Sequence, residues 1–459
     1  IRFNDNDSAY LTRTPGSASN LRTWTWSAWI KRCTLSTDQR IFTANNNGTE
    51  LSWRPSSGSG PDQLRFYVYS GGYVCDAVTV ALYRDVSAWY HVVLRVDTTQ
   101  ATDTNRIKIY VNGVEQTLVI GPGAVGPYPS VNTELGVNTA TPHYIGRFSG
   151  AVNRLVDQYM AEINFVDGLS LSPSSFGETN SDTGQWVPKE YEGSYGTNGF
   201  YLKGQDSSAL GDDTSGNGND FSSSGLAAND QMSDSPTNNQ LTLNVIAPQQ
   251  SASTALPTIP TYSDGNKKLA STASSHTASV TPLTIPIPTE GKWHIEVGID
   301  VLGSDADAGL SFMLLPQSIL QNGLNTITAT GCYQVYAVKS GTSQTALANV
   351  VQSSDITDIA VSDRFGINVD RTDPTSVTIV GTLQGSAWFT DSSQSFLDEP
   401  YVFAIYENGN TNRNITCTIY SAEEEFTETV SSGHVSLCSN NLPDPAIADP
   451  SAYFQTTLY

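Results

Sequence analysis

Residues 89–115, WYHVVLRVDTTQATDTNRIKIYVNGVE, constrain the fold more than any other stretch. Trp89, His91, Val93 and Arg95 fall on one side of a period of two, and Tyr90, Val92, Leu94 and Val96 fall on the other. A polar loop over 97–105 follows. Ile107, Ile109 and Val111 then alternate with Lys108 and Tyr110, and Asn112-Gly113 closes the strand with a tight turn. Two adjacent half-buried antiparallel strands are the unit from which a sandwich is built.

The flanking sequence repeats the pattern. Strand-like runs at 24–30, 40–44, 51–54, 64–69, 78–83, 144–148 and 159–167 alternate with turn clusters, and no long amphipathic helix interrupts them. Short strands at this spacing predict a sandwich or jelly roll. Residues 169–239 change character. LSLSPSSFGETNSDTG is turn-rich, TNGFYLKG reads as one more strand, and GDDTSGNGNDFSSSGLAANDQMSDSPTNN has hardly any core-forming residues. Such a segment folds only as a loop lying on other surfaces, so it is expected to be a connector. Strands resume near 240, with KWHIEVGID at 292–300 alternating Trp293, Ile295, Val297 and Ile299 against His294, Glu296 and Gly298. The tail from Cys438, CSNNLPDPAIADPSAYFQTTLY, carries three prolines and is expected to run extended along a surface. The expected fold class is all-β: two antiparallel, jelly-roll-type β-sandwiches at 1–168 and 240–459, joined by a loop-rich connector at 169–239.

Composition narrows the setting. At 459 residues the chain is too long for one core. Forty-five acids against 23 bases give a net charge of −22, with no basic patch, which argues against nucleic acid as a partner. No apolar run is long enough to span a bilayer, so membrane insertion is not expected and the protein reads as soluble. Cys33, Cys75, Cys332, Cys417 and Cys438 are odd in number, widely spaced and without metal-ligand spacing. They read as partly buried thiols made in a reducing cytoplasm. The chain opens at Ile1 rather than Met; no signal peptide is expected in the sequence itself, and a leader segment removed from in front of it stays open.

Three resemblances follow from the motifs. WYHVVLRVD, IKIYVNG and YIGR make the first domain similar to the laminin-G-like, concanavalin A-like lectin family over roughly 1–168. GKWHIEVGI, DAGLSFML, DRFGINVD and YVFAIYENG make the second resemble a SPRY-type sandwich, although Asp363-Arg364-Phe365-Gly366 departs from that family's second strand motif. The whole layout resembles uncharacterised proteins of marine tailed bacteriophages; it runs from YLTRTPGSASN and TWTWSAWIKR through INFVDGLSLSPSSFGE, YGTNGFYLK and SGNGNDF to NLPDPAIADPSAYF. That resemblance implies a virion surface protein, a tail fibre or a capsid decoration, made in the host cytoplasm. It implies other virion proteins as partners, a homo-oligomer such as a trimer, and a host-surface glycan as ligand.

The same lectin-like fold hosts glucanases, so paired carboxylates matter. Retaining glycoside hydrolysis needs two carboxyls about 5–5.5 Å apart. Glu296 and Asp300 are four apart on a strand, roughly 13 Å between Cα atoms. Glu423, Glu424 and Glu425 read as a solvated charge run, and Glu162 stands alone. No Gly-x-Ser-x-Gly elbow is present, and His91, His143, His276, His294 and His434 are scattered without zinc spacing. His91 in particular reads as a hydrogen-bonded structural histidine. No catalytic residue is therefore assigned and no cofactor is expected, with calcium as the one weak candidate. Asp213 and Asn217 approach the first half of a calcium loop whose twelfth position is Ser224 instead of Glu, and Asp305 with Asp307 is a second weak pair.

Sugar binding needs an aromatic platform and a few polar groups beside it. Trp53, Tyr67, Tyr69, Tyr73 and Tyr128 are the candidates, Trp53 and Tyr128 because they sit near turns. Trp24, Trp26, Trp29 and Trp89 lie inside strands, where tryptophan is more often core. The expected function is a passive or glycan-binding virion component. The alternatives are a polysaccharide-degrading enzyme on the same fold and, less favoured, a bacterial surface adhesin.

Overall fold

Alternation in the sequence becomes pairing in the computed structural model. Trp89–Asp97 lies between Thr23–Arg32 and Ile107–Val111, antiparallel to both. Asn112 and Gly113 take φ of 48° and 79°, the left-handed values a two-residue hairpin turn requires, and lead into Val114–Glu115. The structure describes residues 1–44, 48–54, 62–121, 126–246, 249–250, 260–271, 279–305, 308–322, 331–340, 343–347, 350–373, 375–407 and 414–442. The chain forms two compact units, Ile1–Thr237 and Asn238–Tyr459. Both are antiparallel β-sandwiches, so the fold is all-β.

In the first unit, one sheet runs in the order Arg2–Phe3, Gln158–Asp167, Thr23–Arg32, Trp89–Asp97, Ile107–Val111, Val114–Glu115. The facing sheet runs Leu118–Ile120, Tyr73–Thr79, Leu64–Tyr69, Thr49–Trp53, Gln39–Ala44, His143–Ile145, Tyr10–Arg13, Ser222–Ser224. Trp24, Trp26, Leu94 and Ile109 from the first sheet meet Phe42, Leu51, Phe66 and Ile145 from the second in one apolar core. The aromatic rings interlock there, Trp24 edge-on to Phe66 with centroids 6.0 Å apart and Trp26 stacked on Phe42 at 6.3 Å.

The central strands are not half-buried as the alternation predicted. Trp89, His91 and Val93, on the face turned away from that core, are buried too. The cause is the segment expected as a connector, which lies within the first unit and covers this outer face. Val93 and Tyr110 pack under Phe176, Tyr195 and Tyr201, and Trp29, Cys33, Trp89 and Tyr159 pack under Trp186 and Met232. Phe200–Leu202 pairs with Gln158–Asp167, and Ser222–Ser224 pairs with Tyr10–Arg13. Polar contacts fasten the cover. Trp186 Nε1 donates to His91 Nδ1 at 2.9 Å, so the ring's other nitrogen donates to Ser27 Oγ at 2.9 Å. Asp234 takes Lys31 Nζ and Trp89 Nε1, both at 2.9 Å, in a fully buried cluster. A segment poor in apolar residues thus folds because a few well-placed aromatics and carboxylates complete a surface built elsewhere in the unit.

In the second unit, one sheet is Gln249–Gln250, Ser279–Pro282, Tyr401–Glu407, Gly309–Pro316, Tyr333–Val338, Ser343–Leu347, Val350–Ile356. The other is Thr261–Ser263, Lys268–Ala270, Ile415–Tyr420, Lys292–Leu302, Arg364–Asp370, Val377–Leu383, Ser386–Gln394. Trp293, Ile295, Val297 and Ile299 face the core, as their spacing requires. On the opposite face Glu296 is buried beneath residues 423–436: it accepts the Thr427 and Glu428 backbone N–H groups at 2.9 and 2.8 Å, and Arg364 Nε lies 3.0 Å away. The prolines of the C-terminal tail lie outside the described residues. All five cysteines are buried. Among the described residues no helix is long and apolar enough to cross a membrane.

Candidate functional site

Tyr67 and Tyr69 alternate with Phe66 and Val68 along Leu64–Tyr69. Because Phe66 and Val68 enter the core, the two tyrosines face outward. Tyr73 opens the next strand beside Tyr69. The three rings form one cluster: Tyr67 stacks on Tyr69 with centroids 6.5 Å apart, and Tyr73 stands edge-on to both at 5.7 and 5.6 Å. Tyr69 and Tyr73 are 37% and 42% exposed, which is unusual for adjacent large aromatics and leaves ring area open to a ligand. They line a cleft of about 400 Å³ on the outer face of the second sheet.

Charged side chains complete the cleft. Glu50, Tyr67 and Asp76 are register partners across three strands. Arg65 grips Asp76 through two bonds of 2.6 and 2.7 Å while its guanidinium lies 4.5 Å over the Tyr67 ring. Arg40 bridges Glu50 at 2.5 Å and also pairs with Asp38. Asp38 further takes Arg154 at 3.1 Å, and Arg154 lies over the Phe148 ring. Burial, followed by the nearby Glu50 carboxylate, pushes the Tyr67 phenol above its ordinary value, so it stays a donor at neutral pH. Each carboxylate here is an acceptor for at least one arginine.

The other candidates fall elsewhere. Trp53 is not exposed: it is fully buried, donates to Gln158 Oε1 at 2.9 Å and lies under the Arg32 guanidinium at 4.4 Å. It follows Leu51 on the inward face of its strand, and that periodicity outweighs the nearby turn. Tyr128 packs against the core margin in a second cleft of about 400 Å³, with Lys108, Glu115 and Leu118, apart from the tyrosine cluster. Asp213 does not fit a calcium ligand. Oδ1 accepts from the Tyr201 and Ser215 N–H groups, and Oδ2 accepts from Ser215 Oγ and the Asn219 N–H. Its acceptor sites are thereby filled by donors. Asn217 Nδ2 donates to the Gly196 and Gly199 carbonyls, so both residues shape the loop. Asp305 lies in a loop, Asp307 lies outside the described residues, and among the described residues no group of three His, Cys, Asp or Glu could hold a metal.

Sequence reasoning missed Asp38, Arg40, Glu50, Arg65, Phe148 and Arg154. Arg65 shares the outward period of Tyr67 and Tyr69 and was within reach of that argument. Arg154 arrives from a loop more than a hundred residues before which Asp38 is placed, and no local spacing announces their meeting.

Comparison with known proteins first gives a class. Residues 4–156 match the Laminin_G_3 family, described as the concanavalin A-like lectin/glucanases superfamily. Every residue of the tyrosine cleft lies inside that match. Particular solved structures are similar over parts of the chain. A human SPRY domain shares 13% identity, covering 34% of this chain and 91% of its own, with a TM-score of 0.26. A putative carbohydrate binding protein from Bacteroides ovatus shares 14%, covering 49% of this chain and 58% of its own, with a TM-score of 0.27. The carbohydrate binding module CBM66 from Bacillus subtilis shares 10%, covering 38% and 91%, with a TM-score of 0.24. No curated protein matches this chain in sequence.

Proposed function

We propose that the first sandwich binds carbohydrate in the cleft of Tyr67, Tyr69 and Tyr73, and that the chain is a virion surface protein of a tailed bacteriophage, a fibre or capsid decoration that contributes to attachment to host-surface glycans. The observation that carries the binding reading is the cluster of three outward tyrosines, two of them well exposed, beside fixed polar groups. Ring faces pack sugar C–H groups while phenol hydroxyls meet sugar hydroxyls. The lectin-like match over 4–156 supports the same reading. The virion role rests on the layout of sequence motifs across the chain. The five buried thiols accord with synthesis in a reducing cytoplasm, as that role requires.

A panel of dye-labelled polysaccharides tests the binding. Retention without cleavage is the expected result, and it should disappear in Tyr69→Ala/Tyr73→Ala. Depolymerisation would instead favour the polysaccharide-degrading alternative. The virion role is tested by locating the protein on imaged, purified particles. Its absence from particles would defeat that part of the proposal, and a mass measurement on the purified protein sets the subunit count.

A further inference from the structure

We infer that the tyrosine cleft selects uncharged carbohydrate chains over acidic or amino-sugar polymers, a conclusion that rests on reading the cleft as a glycan site. Its three cations are balanced one for one by three anions. Asp38 holds Arg40 and Arg154, Glu50 holds Arg40, and Asp76 holds two nitrogens of Arg65. Two of the arginines are also held in place by rings, Arg65 over Tyr67 and Arg154 over Phe148. A uronate or sulfate on an incoming sugar meets, among the described residues, no cation of this cleft that lacks a carboxylate partner. To bind one, it must displace Asp38, Glu50 or Asp76 and leave that carboxylate facing it, in a partly desolvated setting where an unpaired charge is costly. An amino sugar meets the mirror problem, because each carboxylate is already taken. The chain's net charge of −22 also slows the approach of polyanions. What remains open is neutral: the exposed faces of Tyr69 and Tyr73 and phenol hydroxyls that both donate and accept.

The test uses the full chain against two sets of immobilised polymers: neutral glucans, mannans and galactans, and charged alginate, pectate, chondroitin sulfate and chitosan. Retention by one or more neutral polymers is expected, changing less than about twofold as salt rises from about 50 to about 500 mM, because no ligand charge is there to be screened. Asp38→Asn frees Arg154 and one side of Arg40 and should create retention of an acidic polymer, at least about tenfold above wild type at low salt. Wild-type retention of a charged polymer at or above that of every neutral one, lost in Tyr69→Ala/Tyr73→Ala, overturns the selectivity while leaving the cleft as a glycan site. Failure of Asp38→Asn to gain any acidic ligand also counts against ion pairing as the selector. If no polymer shows tyrosine-dependent retention, the glycan reading itself falls.

Discussion

Trp53 and Tyr69 show how little separates a core side chain from an exposed one. Both end strands of the same sheet, beside turns. Trp53 shares the inward period of Leu51 and Tyr69 the outward period of Tyr67, and that parity decides their roles. Trp53→Ala should therefore cost about 3–5 kcal/mol in denaturant unfolding, through the cavity and the Gln158 carbonyl left without its donor. Tyr69→Ala should change stability by less than about 0.5 kcal/mol while weakening glycan retention. The tyrosines were legible as a candidate because outward aromatics at a spacing of two are visible in one strand. Trp53 was misjudged because proximity to a turn was weighed above parity. Acids and Asn/Gly at calcium-loop spacing equally describe a turn whose carboxylate caps its own backbone amides, as Asp213 does.

At the scale of elements, the hairpin of Ile107–Val111 with Val114–Glu115 could be read directly, since its signal is local. The cover over the Trp89–Asp97 strand could not. Trp186 reaches His91 from 95 positions away and Asp234 reaches Lys31 from 203, and spacing carries no trace of such contacts. The cover has a titratable consequence. Burial beneath the cover lowers His91 from 6.5 to about 3, and burial in the second sheet, beside Phe42 and Asn138, lowers His143 from 6.5 to about 4, so both are neutral when folded. The unfolded chain binds these protons first. The contribution of these two histidines is therefore complete above pH 6.5 and falls as pH drops toward 4, by up to about 1.4 kcal/mol per pH unit for each. Chemical denaturation between pH 7 and pH 4 should show this slope, and His91→Asn should remove about half of it.

The 423–436 strap in the second unit titrates with a different group. Burial alone would raise Glu296, but hydrogen bonds from His294 and the Thr427 and Glu428 amides, with Arg364 beside them, hold it below its ordinary 4.5. Its contribution is present above pH 4.5 and disappears as pH falls through the lower folded value. Glu296→Ala leaves Arg364 and two amides without their acceptor. It should cost on the order of 3 kcal/mol and raise hydrogen exchange at residues 427 and 428 ahead of the core strands.

For the molecule as a whole, strand periodicity and turn chemistry announced two sandwiches, and each unit has its own apolar core. The extent of the first unit was not announced, because its last part has the composition of a linker and is ordered by surfaces it does not itself supply. A fragment ending at Thr237 should melt cooperatively and stay monodisperse in size-exclusion chromatography. One ending at 168 should aggregate or bind a hydrophobic dye, with Trp29, Trp89, Val93 and Tyr110 laid bare. Persistence of a cooperative, soluble 1–168 fragment would show that the cover is dispensable.

That late-arriving cover also bears on how such a chain can be recombined. A crossover placed where the lectin-like match stops, at residue 156, would separate a platform from its own backing and yield a sticky half-product. Genetic exchange that keeps the first sandwich folded must therefore carry the plain-looking Gly- and Ser-rich stretch along with the residues of the lectin-like match.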